Sequence, residues 1–155
     1  MSTGLKLNPY FSATKIRWLL DSIKDGQKRA ENGELCFGTI DSWIVFNLTE
    51  GKKHLTDSTN ASRTMLLNIH NLNWDPEMLS LFNIPSEILP NVLPSASNFG
   101  LASPNFFGSE ISISGIVGDQ HSSLYGQLCF KKGMTKCTYG TGAFILTNEG
   151  NSPPS

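Results

Sequence analysis

Apolar residues near the start of the chain recur at helical spacing. Ile16, Leu19, Leu20 and Ile23 stand at i, i+3, i+4 and i+7, the stripe of an amphipathic helix. Ser12 is placed to cap that helix and Gly26 to stop it, by the preference of hydroxyls for the N-cap and glycine for the C-terminus. Tyr10 then lies just ahead of the helix, where a staple packing back onto it is the plain expectation. From Thr39 to Leu48, Ile40, Trp43, Ile44 and Leu48 again repeat with helical spacing, although Ile44-Val45-Phe46 would suit a strand. The longer stripe favours a helix capped by Thr39 and ended by Gly51.

Further on, short strands are expected at His54 to Thr56 and Met65 to Ile69. Asp75-Pro76-Glu77 is a strong helix start, combining a capping carboxylate, a proline at the first position and an acid in the first turn. That helix should run through Phe82 and stop before Pro85. Pro85 to Gly108 reads as a meandering surface connection in which Ile88, Leu89, Val92 and Leu93 seek burial. Ile111 to Val117 is expected to be a strand, and Ser122 to Leu128 a helix with Leu124 and Leu128 facing inward. Met134 to Tyr139 and Phe144 to Thr147 complete the pattern as two strands joined by Gly140-Thr141-Gly142-Ala143. The fold class is α/β.

Composition adds limits to this picture. The chain has 155 residues, 39% apolar and 16% charged, with 12 basic against 13 acidic side chains. Such a balance is globular and offers no electrostatic reason for a nucleic-acid or anionic-membrane partner. No apolar run approaches the ~20 residues that span a bilayer. Cys36, Cys129 and Cys137 are odd in number and share no metal-binding spacing, so reduced, buried thiols in a cytoplasmic protein are expected. The sequons at Asn47 and Asn60 carry no weight there. His54, His70 and His121 are too scattered for a metal site, and Trp18, Trp43 and Trp74 read as core.

Two places join turn-forming residues to reactive groups. Gly118-Asp119-Gln120 follows a strand, where open α/β sheets place their sites; Asp119 is equally suited to capping the next helix. Tyr139-Gly140-Thr141-Gly142 lies between two strands. Its backbone N–H groups and the Thr141 hydroxyl could cradle phosphate oxygens, and it could equally be a plain β-turn.

Longer strings are more specific. Pro9-Tyr10-Phe11-Ser12-Ala13-Thr14-Lys15-Ile16-Arg17-Trp18 resembles the signature segment of the FGGY carbohydrate kinases, in the form of their glycerol-phosphorylating branch. Phe37-Gly38-Thr39-Ile40-Asp41-Ser42-Trp43, Thr59-Asn60-Ala61-Ser62-Arg63-Thr64-Met65-Leu66, Ile113 to Gln120 and Thr138 to Gly142 resemble further family segments, in order along nearly the whole chain. The resemblance implies a ribonuclease H-like fold of the actin/hexokinase type, incomplete here. Residues 1–128 would be the later part of the first domain and 129–155 the opening strands of the second, so that the chain is an internal piece of such an enzyme.

The implied activity is phosphorylation of glycerol by ATP with Mg, in an enzyme that is a homodimer or homotetramer. Another polyol or a ketose, or a non-catalytic half-domain, are the alternatives. By resemblance Asp119 is the general base. Tyr10 and Gln120 bond the substrate, Phe144 touches its carbons, and Gly140, Thr141 and Gly142 hold the nucleotide phosphates; no protein metal ligand is implied beyond Asp119 acting through water. The family's Asp-x-Gly-Thr phosphate loop, its Arg-Glu pair and its adenosine segment have no match, so the piece alone is expected to be inactive. Glu110 stands where some bacterial relatives carry the arginine of a sugar-bisphosphate regulatory loop, and such regulation is not expected.

Overall fold

The computed structural model describes residues 2–153, which divide into two compact units, Ser2–Ile116 and the segment from Val117 onward. In the first unit, helix α1 spans Ser12–Ser22 and buries Ala13, Ile16 and Leu20. Ser12 is its first residue and not its cap; the cap position is held by Phe11, which packs on the core. Gly26 does not stop α1 but opens a second short helix, α2 (Gly26–Glu31), which the sequence pattern did not reveal. A Cβ at Gly26 would stand 2.3 Å from the Leu20 carbonyl oxygen, so the glycine serves the close approach of α2 to the end of α1.

Helix α3 (Ile40–Leu48) forms where the stripe predicts, with Thr39 at the cap position. Its buried residues are Ser42 and Val45, however, and Ile40, Trp43 and Ile44 are exposed. Trp18 and Trp43 are therefore not core, at 67% and 61% exposure. Trp74 does pack against the core, and its indole N–H donates to the Pro90 carbonyl at 2.8 Å.

Strand β1 (Leu55–Asp57) leads into helix α4 (Ser58–Ala61). The apolar run from Met65 shortens to strand β2 (Leu67–Asn68), because Met65 holds a left-handed φ of 67° that breaks extended pairing. β2 pairs antiparallel with β3 (Asn73–Trp74). Helix α5 (Pro76–Phe82) starts as expected: the Asp75 carboxylate accepts from the N–H groups of Glu77 and Met78 at 2.9 and 3.1 Å. A 3-10 turn at Ser86–Ile88 follows.

The stretch from Pro85 to Gly108 is more ordered than a surface connection. It holds β4 (Asn91–Leu93), β5 (Ala96–Ala102) and helix α6 (Pro104–Phe107). β4 pairs parallel with β1, and β5 pairs antiparallel with β6 (Ile111–Gly115) around an irregularity between Ala96 and Gly100. The polar residues that suggested a loop are used in this framework. Glu50 accepts from the Ser103 hydroxyl at 2.7 Å and the Asn105 amide at 2.6 Å, bonds that hold its carboxyl below the ordinary value.

Asp57, fully buried, ties β1 to α4 and to the turn ahead of β5. It accepts from the Thr59 and Asn60 N–H groups, from both their side chains, and from the Ser95 hydroxyl at 2.6 Å. The Asn60 amide is thus spent on Asp57 at 2.7 Å. The hydrophobic core of this unit lies between α1, α2, the Met65-Leu66 corner and Ile84, Ile88 and Leu89.

The second unit comprises helix α7 (Asp119–Gly126) and an antiparallel hairpin of β7 (Thr135–Tyr139) and β8 (Ala143–Thr147). α7 begins earlier than the apolar pattern predicts. It also ends earlier, since Leu128 takes a left-handed φ of 60° and is exposed, contrary to the inward position expected for it. Asn148 closes the base of the hairpin, its N–H donating to Met134 and its side-chain amide to the Cys129 carbonyl, each at 2.9 Å. Of the cysteines, all free, Cys129 is buried while Cys36 and Cys137 are exposed, against the expectation of buried thiols. No helix among the described residues is long and apolar enough to cross a membrane.

Candidate functional site

Asp119 is the first residue of α7, with Gly118 in the cap position. Its Oδ1 accepts from the N–H of Gln120 at 2.7 Å, and its Oδ2 from the Gln120 side-chain amide at 3.3 Å. The carboxylate therefore satisfies one N–H of the helix start while remaining exposed. An anion is favoured there by the positive end of the helix dipole. The capping and functional readings of Asp119 are compatible: a group held at one oxygen by the backbone keeps its other lone pairs for a ligand.

α7 packs on both strands of the hairpin. The register pairs Lys136 with Leu146 and Thr138 with Phe144, and alternation along a strand puts these four on one face. Lys136 is buried on that face. Its ammonium donates to the Gln120 carboxamide oxygen and, at 2.9 Å, to the Thr138 hydroxyl. Neither Lys136 nor Thr138 stood out in the sequence as a site residue. The available signal was the period of two, which turns a lysine and a threonine inward while Cys137 and Tyr139 point out.

Gly140-Thr141-Gly142 forms the hairpin turn, closed by a bond from the Gly140 N–H to the Gly142 carbonyl at 3.0 Å. Gly140 and Thr141 are exposed, and a Cβ at Gly140 would meet nothing within 4 Å. A Cβ at Gly142 would instead stand 2.8 and 2.9 Å from two ring atoms of Phe144. The Phe144 ring thus folds over Gly142, joining the expected carbon contact to the expected phosphate turn. A bond to the Cys137 thiol holds the Tyr139 phenol above its ordinary value. An exposed glycine turn carrying a hydroxyl donor suits phosphate oxygens.

Tyr10 belongs to the first unit. It is exposed, stacked edge-on against Phe11 at 5.4 Å, with the Lys15 ammonium 5.9 Å above its ring and bonded to its carbonyl at 2.9 Å. It does not pack back on α1 as a buried staple; the phenol is left available. Among the described residues no group of three or more His, Cys, Asp or Glu side chains could hold a metal ion. His54 Nε2 bonds the Phe37 carbonyl at 2.6 Å, and His70 is exposed.

This arrangement of short strands, helices and a Gly-Thr-Gly hairpin is part of an actin/hexokinase-type ATPase fold. It superposes on the structure of a glycerol kinase from Plasmodium falciparum with ADP, with a TM-score of 0.88 and 43% identity over 95% of this chain and 29% of that one. It likewise superposes on a ligand-bound xylulose kinase from Lactobacillus acidophilus, with a TM-score of 0.76 and 24% identity over 93% of this chain and 29% of that one, a likeness of fold alone. The model of the FGGY family of carbohydrate kinases, N-terminal domain, matches residues 1–126. The chain belongs to that family. Among curated relatives, a glycerol kinase from Pseudothermotoga lettingae is 58% identical over 149 residues, 96% of this chain. The chain spans 30% of that relative's length.

Proposed function

We propose that this chain is part of an enzyme that transfers the terminal phosphoryl group of ATP to glycerol, giving glycerol 3-phosphate. The observation that supports it most is the exposed Asp119 carboxylate at the start of α7, bonded to Gln120 on a helix that packs against the Gly140-Thr141-Gly142 hairpin. Kinases that act on glycerol in other organisms share more than half of its residues. On this reading Asp119 takes the proton of the attacking hydroxyl, and Gln120 and Tyr10 bond the hydroxyls. Phe144 lies against the carbon chain. A triol held by such polar partners is selected over an analogue lacking one hydroxyl, which leaves a partner unpaired.

Gly140, Thr141 and Gly142 receive the nucleotide phosphates. Magnesium bound with the nucleotide would supply charge neutralisation to the transferring phosphoryl group and would ask little of the protein; Asp119 is the carboxylate that would reach it through a water. Phosphoryl transfer of this kind depends on positioning and charge stabilisation more than on covalent chemistry. We assign residues 1–128 to the first domain of the enzyme and those from 129 onward to the opening strands of the second. The enzyme is placed in the cytoplasm, and self-association to a dimer or tetramer is part of the proposal.

A substrate panel tests it. A full-length kinase carrying this segment should phosphorylate glycerol in preference to xylulose or ribulose, read as ATP consumption, while the 155-residue chain alone should consume none. Preference for a pentulose would move the enzyme to another branch of the family. Glycerol-dependent turnover by the chain alone would overturn the view that it is only part of the machinery.

The hairpin gives a sharper check. Gly142→Ala should push the Phe144 ring aside and raise the KM for glycerol by about fivefold or more, whereas Gly140→Ala, which meets open space, should leave that KM within about twofold. Equal effects of the two substitutions in a steady-state assay would show that Phe144 has no such role.

A further inference from the structure

We propose that Lys136 is a positioning residue: its ammonium fixes the carboxamide of Gln120 and, through it, the Asp119 carboxylate. The inference rests on the reading of Asp119 as base and Gln120 as substrate contact. It starts from an oddity of the second unit. Lys136 is only 2% exposed, in a hairpin whose opposite residue, Leu146, is apolar. Burying an ammonium is costly unless its donors are satisfied. Neither ion pair found among the described residues involves Lys136. Its partners are two neutral oxygens, Oε1 of Gln120 and Oγ1 of Thr138. An apolar side chain would fill the same place in the hairpin at less cost, so the cation is there for what it does to its partners.

What it does follows from donor chemistry. An ammonium has donors and no acceptor. The end of the Gln120 carboxamide that meets Lys136 must therefore be the oxygen, and the amide end must face the other way. That end donates to Asp119 Oδ2 at 3.3 Å, while the Gln120 backbone N–H holds Oδ1 at 2.7 Å. Without the cation, the carboxamide is free to turn over, and its oxygen would then face the carboxylate and repel it. Lys136 also polarises the amide along the chain Lys136–Gln120–Asp119, which strengthens the second bond. Lys136 touches neither glycerol nor nucleotide in this scheme; it acts by deciding which face of Gln120 the substrate and base meet.

The test is a double-mutant cycle in a full-length kinase carrying this segment. Lys136→Met keeps the length of the side chain and removes the charge. Its kcat/KM for glycerol should fall by about tenfold or more, with the KM for ATP changed by less than about twofold. In a Gln120→Met background the same substitution should add less than about a twofold further loss, because the partner through which it acts is gone. A Lys136→Met enzyme with unchanged kcat/KM, or losses that multiply in the double variant, would overturn the proposal. An inactive Asp119→Asn beside an unaffected Lys136→Met removes the role of Lys136 alone. Turnover retained in Asp119→Asn removes the base, and the Lys136 inference with it. Should Lys136→Met not fold, the wild-type full-length kinase decides: nuclear Overhauser contacts between the Lys136 ε-methylene and the Gln120 carboxamide are expected, and their absence overturns the assignment.

Discussion

In a full-length kinase carrying this segment, Asp119→Asn is expected to lower kcat by about a hundredfold to ten-thousandfold, the usual contribution of a general base. Asparagine has the same shape and can still accept from the Gln120 N–H through its oxygen, the bond that Asp119 Oδ1 makes at 2.7 Å. It cannot take a proton from an attacking hydroxyl. The loss should therefore fall on the chemical step, with glycerol still bound, as titration calorimetry would show. This separation matters because Asp119 has a second use at the start of α7. A residue that served only the helix would lower stability and leave turnover per folded molecule intact. Full turnover in the variant would end the assignment of Asp119 as the base.

The second large effect is on stability. Asp57 is fully buried and accepts from two backbone N–H groups, the Thr59 and Ser95 hydroxyls and the Asn60 amide. Asp57→Ala strands these donors, and unsatisfied buried groups cost about 1–3 kcal/mol each. With relaxation, a net loss of about 3 kcal/mol or more is expected, a large share of the ~5–15 kcal/mol that holds a domain. At a typical m-value this moves the urea midpoint down by about 1–3 M.

The pH dependence of this contribution has a definite sign. Burial on its own raises the Asp57 carboxyl, but the bonds from Ser95, Thr59 and Asn60 outweigh it, and the group titrates below its ordinary 3.8. A carboxyl lowered on folding contributes fully above its unfolded value and loses that contribution as pH falls through the folded one. The difference in stability between the wild type and Asp57→Asn should therefore be largest near neutral pH and shrink below about pH 4. Urea melts at pH 7 and pH 3 would check this, and an equal difference at both would show that the Asp57 charge is not the stabilising feature.

The strings of the chain carry both structural and chemical residues, and they do not say which is which. Thr59 and Asn60 lie in a segment shared with the family, yet in the structure they are spent on Asp57. Gly26 looks like a helix stop and is instead a point of close approach between two helices. Gly142, by contrast, is expected in the phosphate turn only through the family resemblance of its segment; what the structure adds is the Phe144 ring lying over it.

From its sequence alone this protein is identifiable as an FGGY kinase segment, with α1, α3, α5 and the terminal hairpin placed and Asp119, Gln120 and Thr141 marked. The elements are legible because they depend on nearest neighbours: a 3.6-residue stripe, an Asp-Pro-Glu start, a glycine turn between alternating strands; the family and the marked residues rest on the resemblance of longer strings. Only the tertiary structure decided which face of each element is covered. Periodicity says that Ile40, Trp43 and Ile44 share a side of α3; it does not say that Ser42 and Val45 are the side that packs. Nor could it tell that Lys136 meets Gln120, because that bond joins a strand to a helix lying earlier in the chain. Burial and hydrogen-bond partnership are properties of pairs distant in sequence, and they arise only when the elements meet.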